Sequence, residues 1–191
     1  MRIRLLVFVA AVALAVAILV SCDNDPEQNR SVVTVASIND NAPLFSDVLG
    51  GADSSSAAIY PDVISVVFYN RPYNAMITTG PGEPYGDFLI TRYTIDWVRT
   101  DGGSPALPPL DAGVSIQVPT GEFVKGEIVL VTHQNKATSP LADLVGVPQQ
   151  ISMDARIIFY GHEIGTDRET EIQATLGVLF ADLAEGDGSG N

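Results

Sequence analysis

The side chains with which this chain could do chemistry are mostly carboxylates. Its 191 residues include 23 Asp and Glu, 10 Lys and Arg, two His and one Cys. The histidines, His133 and His162, lie on different segments, and neither has a second histidine at metal-ligand spacing. The motifs Gly-x-Ser-x-Gly and His-Glu-x-x-His are absent from the sequence. Two carboxylates suffice for a glycosidase, but no pair is singled out, so we predict no enzyme and assign no catalytic residue.

The chain is strongly acidic, with a formal net charge of −13 at pH 7. A surface of this sign repels the phosphates of nucleic acids. We therefore expect no nucleic-acid partner, and we interpret the acidity as a feature that keeps the domain in solution.

The single cysteine, Cys22, directly follows an apolar segment near the N-terminus. Arg2 and Arg4 precede that segment, which runs for 16 residues from Leu5 to Val20. A secretory signal typically has a basic start, a short apolar run and a small residue before the cleavage site. The run is also shorter than the roughly 20 residues of a membrane-spanning helix. Leu19-Val20-Ser21-Cys22 resembles the lipobox of bacterial lipoproteins.

The resemblance to lipoproteins implies a cellular location and does not imply an activity. It implies that residues 1–21 are a cleaved signal peptide and that Cys22 carries acyl chains such as palmitate. Those chains would hold an extracytoplasmic protein on a membrane, at the periplasmic face or the cell surface. Residues 22–30 are polar, include Pro26 and predict a short tether. The alternatives are an ordinary secretory signal with a chance cysteine and an uncleaved N-terminal anchor.

Residues 31–183 predict one all-β domain, followed by a disordered tail at residues 184–191. Alternating apolar side chains predict seven strands, with Trp97 anchoring the core. About seven strands favour an immunoglobulin-like or fibronectin-like sandwich, and a small β-barrel is the alternative. Phe159-Tyr160-Gly161 and Phe180-Ala181-Asp182 resemble the last two strands of bacterial immunoglobulin-like lipoproteins. The predicted strands are 32–38, 63–69, 88–99, 114–118, 127–132, 151–164 and 170–183.

Two short motifs carry oxygen ligands of the kind that calcium prefers. The segment from Asn39 to Phe45 resembles the calcium-binding linker of cadherin repeats, although Ser37 replaces the first linker aspartate. The segment from Thr166 to Glu169 resembles a second motif of that family. The resemblance implies the calcium ligands Asn39, Asp40, Asn41, Asp167 and Glu169. The alternative is an Asx/Pro turn and a charged hairpin tip, which we adopt, so no metal or other cofactor is predicted.

Two loops at one end of the predicted sandwich offer a surface for a partner. The segment 71–87 is rich in Pro and Gly, and topology brings it to the same end as the hairpin at 165–169. Tyr and Arg are enriched where proteins bind partners. The candidate partner-binding residues are Arg71, Tyr73, Tyr85 and Arg168. The alternative is a rigid loop whose tyrosines pack on its own strands.

Taken together, the sequence predicts a lipid-anchored cell-envelope protein with a non-catalytic structural or protein-interaction role. Its expected partners are the membrane, through Cys22, and another envelope protein. A small glycan- or calcium-binding module is the alternative function. An envelope hydrolase is a further one, and it would need two carboxylates about 5–9 Å apart in a cleft.

Overall fold

Alternating apolar residues form eight strands in the computed structural model, which describes residues 31–50, 58–72, 86–164 and 168–183. A single helical turn, α1 (His133–Lys136), follows the sixth strand, and 3-10 turns lie at Asn39–Asn41 and Ala142–Leu144. No helix in these ranges is both long and apolar enough to cross a membrane. The strands are β1 (Ser31–Ile38), β2 (Leu44–Asp47), β3 (Asp62–Pro72), β4 (Phe88–Arg99), β5 (Leu110–Val118), β6 (Phe123–Val131), β7 (Ile151–Glu163) and β8 (Glu169–Ala181).

All seven predicted strands are confirmed, and β2 is an additional one that the prediction missed. With four residues between a turn and a loop, β2 is too short to show an alternating pattern. Both β5 and β6 begin four residues earlier than predicted, and each contains a glycine, which weakens a strand signal. In β6 that glycine, Gly126, packs against the Ile116 side chain, whose Cδ1 would have to move to admit a Cβ.

The strands divide between two sheets, as expected for a sandwich. One sheet has the order β1-β3-β6, and the other has the order β2-β8-β7-β4-β5. Neighbouring strands are antiparallel except β2 and β8, which are parallel. The order β1-β3-β6 corresponds to strands A, B and E of an immunoglobulin-like sandwich, and β8-β7-β4 corresponds to G, F and C. The prediction of an immunoglobulin-like architecture is therefore confirmed.

Aromatic side chains join the two sheets in the core. The rings of Phe68 in β3 and Phe159 in β7 meet edge to face, with centroids 5.0 Å apart. Antibody domains link these same two strands with a disulfide, whereas this domain contains no cysteine. Trp97 is 7% exposed, and its ring lies 5.7 Å from that of Phe180, so its predicted core position is confirmed.

The two ends of the sandwich differ, and they are called the Ser31 end and the Lys136 end. At the Ser31 end, Ser31 pairs with Pro72, and Nδ2 of Asn70 donates to the carbonyls of Gly86 at 2.8 Å and Val118 at 2.9 Å. The strands β4 and β8 start at this end, and β7 finishes there. At the Lys136 end, β4 and β8 finish and β7 starts.

Lys136 gives the other end a buried ion pair. Its side chain is 3% exposed, and Nζ lies 2.7 Å from both Oδ1 of Asp62 and the carbonyl oxygen of Asp47. The hydroxyl of Ser46 donates to Oδ2 of Asp62 at 2.5 Å. Thr132 caps α1, because its Oγ1 accepts from the backbone N–H of Asn135, and this fixes the turn that delivers Lys136. The pair ties β2, β3 and α1 together.

Candidate functional site

Arg71 and Arg168, two of the four predicted partner-binding residues, lie at the Ser31 end. Arg71 follows Asn70 near the end of β3, and its side chain is exposed. Arg168 directly precedes β8, is also exposed, and its carbonyl accepts from the backbone N–H of Glu163 at 3.2 Å. The structure thus places both arginines at the end where the chain enters the domain.

Several other predicted residues lie outside the described part of the chain. Cys22 belongs to residues 1–30, and Asp167 belongs to residues 165–167. Tyr73 and Tyr85 belong to residues 73–85. Lipidation and the tyrosine contribution to a binding surface therefore remain predictions.

The four candidate calcium residues that the structure describes do not converge on one point. Asn39, Asp40 and Asn41 form a turn with φ of 47°, 52° and 62°, which Asn and Asp tolerate better than other side chains. Leu44, three residues later, pairs with Val178, nine positions from Glu169 in β8. Nine residues of strand span roughly 30 Å. The described residues also contain no group of three or more His, Cys, Asp or Glu that could hold a metal ion.

A groove of about 640 Å³ opens on the outer face of the larger sheet, near the Ser31 end. A bulge in β4 between Ile90 and Arg92 shifts the register there. The Arg92 guanidinium lies 4.3 Å from the ring centroid of Tyr160 and 3.6 Å from a carboxylate oxygen of Asp111. The groove is lined by Thr91, Arg92, Tyr160, Gly161, His162, Glu169, Thr170 and Glu171.

Close packing of β4 against β7 shapes the floor of this groove. A Cβ at Gly161 would collide with the carbonyl oxygen of Leu89 and with the Phe88 ring, and would lie 2.9 Å from Cα of Ile90. The backbones approach so closely that this position requires glycine. The sequence analysis missed the groove, because its shape depends on the bulge and on this approach.

The groove offers polar contacts from strands β4, β7 and β8. Glu169 and Glu171 project from the same face of β8, opposite His162 and Tyr160 in β7. The groove can therefore donate and accept hydrogen bonds to a polar ligand.

Exposed apolar side chains gather at the Lys136 end. The described residues include six large hydrophobic side chains that are exposed, and only Phe123 lies toward the Ser31 end. No local pattern predicts this arrangement, because the residues come from separate segments that only the topology brings to one end. The five at the Lys136 end are Phe45, Tyr60, Val63, Val145 and Leu183.

Comparisons with protein-family models, curated proteins and solved structures found no match for this chain. The domain begins at the Ser31 end, beside two exposed arginines, and five of the six large exposed apolar side chains among the described residues lie at the Lys136 end.

Proposed function

We propose that this chain is a lipid-anchored protein of the bacterial cell envelope with a non-catalytic protein-interaction role. The lipobox-like residues Leu19-Val20-Ser21-Cys22 support lipidation of Cys22 after removal of residues 1–21. The observation that carries the interaction role is that five of the six large exposed apolar side chains among the described residues lie at the end of the sandwich opposite Ser31. Large exposed apolar patches mark interaction sites in proteins of this kind.

The length of the tether supports different roles for the two ends, with membrane attachment at the Ser31 end and protein contact at the Lys136 end. The eight residues 23–30 span at most about 26–29 Å when fully extended. Strand β7 has 13 residues and therefore measures roughly 40 Å. An acylated Cys22 keeps Ser31 near a membrane, and the Lys136 end remains accessible to other envelope proteins.

The proposal is tested first by replacing Cys22 with serine. Acyl chains contribute about 0.8 kcal/mol per buried methylene to membrane binding, so their loss should move the protein from the membrane fraction to the soluble extracytoplasmic fraction. The measurement is fractionation followed by immunoblotting. A Ser21→Ala variant is the matched control, because it keeps a small residue before the cut and should stay on the membrane. A Cys22→Ser protein that stays membrane-bound contradicts the anchor.

The interaction role is tested in the same membranes by crosslinking and affinity purification of the acylated protein. One recurring envelope protein, recovered in near-equal amount, is the expected result. Recovery of the uncrosslinked chain alone would contradict the interaction role while leaving the anchor intact.

A further inference from the structure

We propose that the Lys136 end carries a docking surface for a basic protein partner, centred on Phe45, Val145 and Leu183. We call it the Phe45 surface. The inference rests on the proposed function, because an anchor at Cys22 leaves this end accessible to proteins. It adds the location of the interface and the chemistry of the partner.

Hydrogen bonds hold the three side chains of the Phe45 surface on adjoining segments. Phe45 and Asp47 share one face of β2, and Oδ1 of Asp47 accepts from the backbone N–H of Leu183 at 3.1 Å. Oδ2 of Asp182 accepts from the N–H of Gly146, the residue after Val145, at 2.6 Å. The segments that carry Phe45, Leu183 and Val145 are therefore neighbours at the Lys136 end.

The fold itself does not need a phenylalanine at position 45. The side chain is 62% exposed, whereas its neighbour Ser46 faces the interior and is fully buried. Strand β2 is an edge strand, and the cross-strand partner of Phe45 is Leu179, which is half-buried on the same outer face. An aromatic ring in this position offers the kind of anchor that dominates binding energy in protein interfaces.

The charges around the Phe45 surface define the partner. The carboxylates of Asp40 and Asp143 are exposed, and that of Asp182 is half-buried. Two cations of this end are already paired, since Lys136 contacts Asp62 and Arg99 contacts Asp101, each at 2.7 Å. The surface that remains is apolar with an acidic border.

Electrostatic complementarity selects a partner with an apolar centre surrounded by Lys and Arg. A second copy of this chain would bring two acidic borders together, and like charges across an interface are unfavourable. An anionic lipid surface is repelled for the same reason. The occupant is therefore a different protein with a basic interface.

The test uses a photo-crosslinking phenylalanine analogue at position 45 in the full acylated chain, in native membranes. The matched control is the analogue at position 123, because Phe123 is 64% exposed and Phe45 is 62% exposed. We expect one protein adduct from position 45 and none from position 123. Peptide mapping of the adduct should place the crosslink within a Lys- and Arg-rich face of the partner.

Purified components then provide a quantitative test. A Phe45→Ser variant should bind the crosslinked protein at least about tenfold more weakly, a loss of about 1.4 kcal/mol, and Phe123→Ser should bind as the unchanged protein does. Added salt should weaken the complex, because the attraction is partly between charges. Phe45→Ser should keep the melting midpoint of the unchanged protein, since its ring is exposed, and Phe123→Ser should lower it only slightly, since it loses only the surface stack on Tyr69.

Several results would overturn the inference. These are an adduct from position 123 but not from position 45, an adduct of the chain with itself, an acidic partner, or unchanged binding by Phe45→Ser. If the protein remains anchored and still pairs with another protein while position 45 gives no adduct, only this inference fails. If Cys22→Ser fails to release the protein, the proposed function fails first.

Discussion

Replacement of Lys136 by methionine is expected to lower the free energy of unfolding by about 3–5 kcal/mol, because it leaves a carboxylate without its buried cation. Nζ of Lys136 lies 2.7 Å from Oδ1 of Asp62 and 2.7 Å from the carbonyl oxygen of Asp47. Methionine fills a similar volume but donates no hydrogen bond, so both acceptors lose their partner. The measurement is equilibrium unfolding in urea.

Two further variants separate the buried pair from a general effect of charge. Arg92→Met removes a cation whose contact with Asp111 is 3.6 Å long, between side chains that are 49% and 62% exposed, and should cost about 1 kcal/mol or less. Adding Asp62→Asn to Lys136→Met should recover about 1 kcal/mol or more, since the orphaned charge is gone. Equal losses for Lys136→Met and Arg92→Met would contradict a stabilising role for the buried pair.

Truncation of Phe159 to alanine is expected to cost about 3–5 kcal/mol as well. Phe159 is fully buried on β7, and its ring centroid lies 5.0 Å from that of Phe68 and 6.2 Å from that of Tyr93. The contact with Phe68 connects the two sheets in a domain without a disulfide, and the cavity left by alanine would lie at their junction. The loss is measured by urea unfolding at constant pH.

The control for Phe159 is Phe123→Ala, because Phe123 is 64% exposed and stacks on Tyr69 at 4.3 Å on the surface. That truncation should cost no more than about 1.5 kcal/mol, the value of an aromatic pair. If Phe159→Ala is no more destabilising than Phe123→Ala, the account of the core is wrong.

The long strands could be predicted from sequence because each buries one face. In β7, side chains such as Met153, Ile157 and Phe159 alternate with outward residues, and this period of two is visible without any tertiary information. The sandwich followed from the number and length of such runs. The short β2 could not be predicted, since Leu44–Asp47 forms a strand only by pairing with β8.

The functional surfaces depend on contacts that no local pattern encodes. Asn39 and Glu169 both match short calcium motifs, yet strand order places them far apart. Phe45, Val145 and Leu183 come from three segments, and only the hydrogen bonds of Asp47 and Asp182 reveal that they adjoin. The ion pair of Lys136 joins residues 74 positions apart in the chain. Spacing along the sequence says little about such pairs.

The anchor at Cys22 is the central claim, and the intact mass of the protein extracted from membranes tests it most directly. We predict a chain that begins at Cys22 and carries two or three acyl chains, with residues 1–21 removed. Fragmentation should place all of the added mass on Cys22. A membrane-extracted chain that still contains residues 1–21, or one with an unmodified thiol at Cys22, would contradict the account.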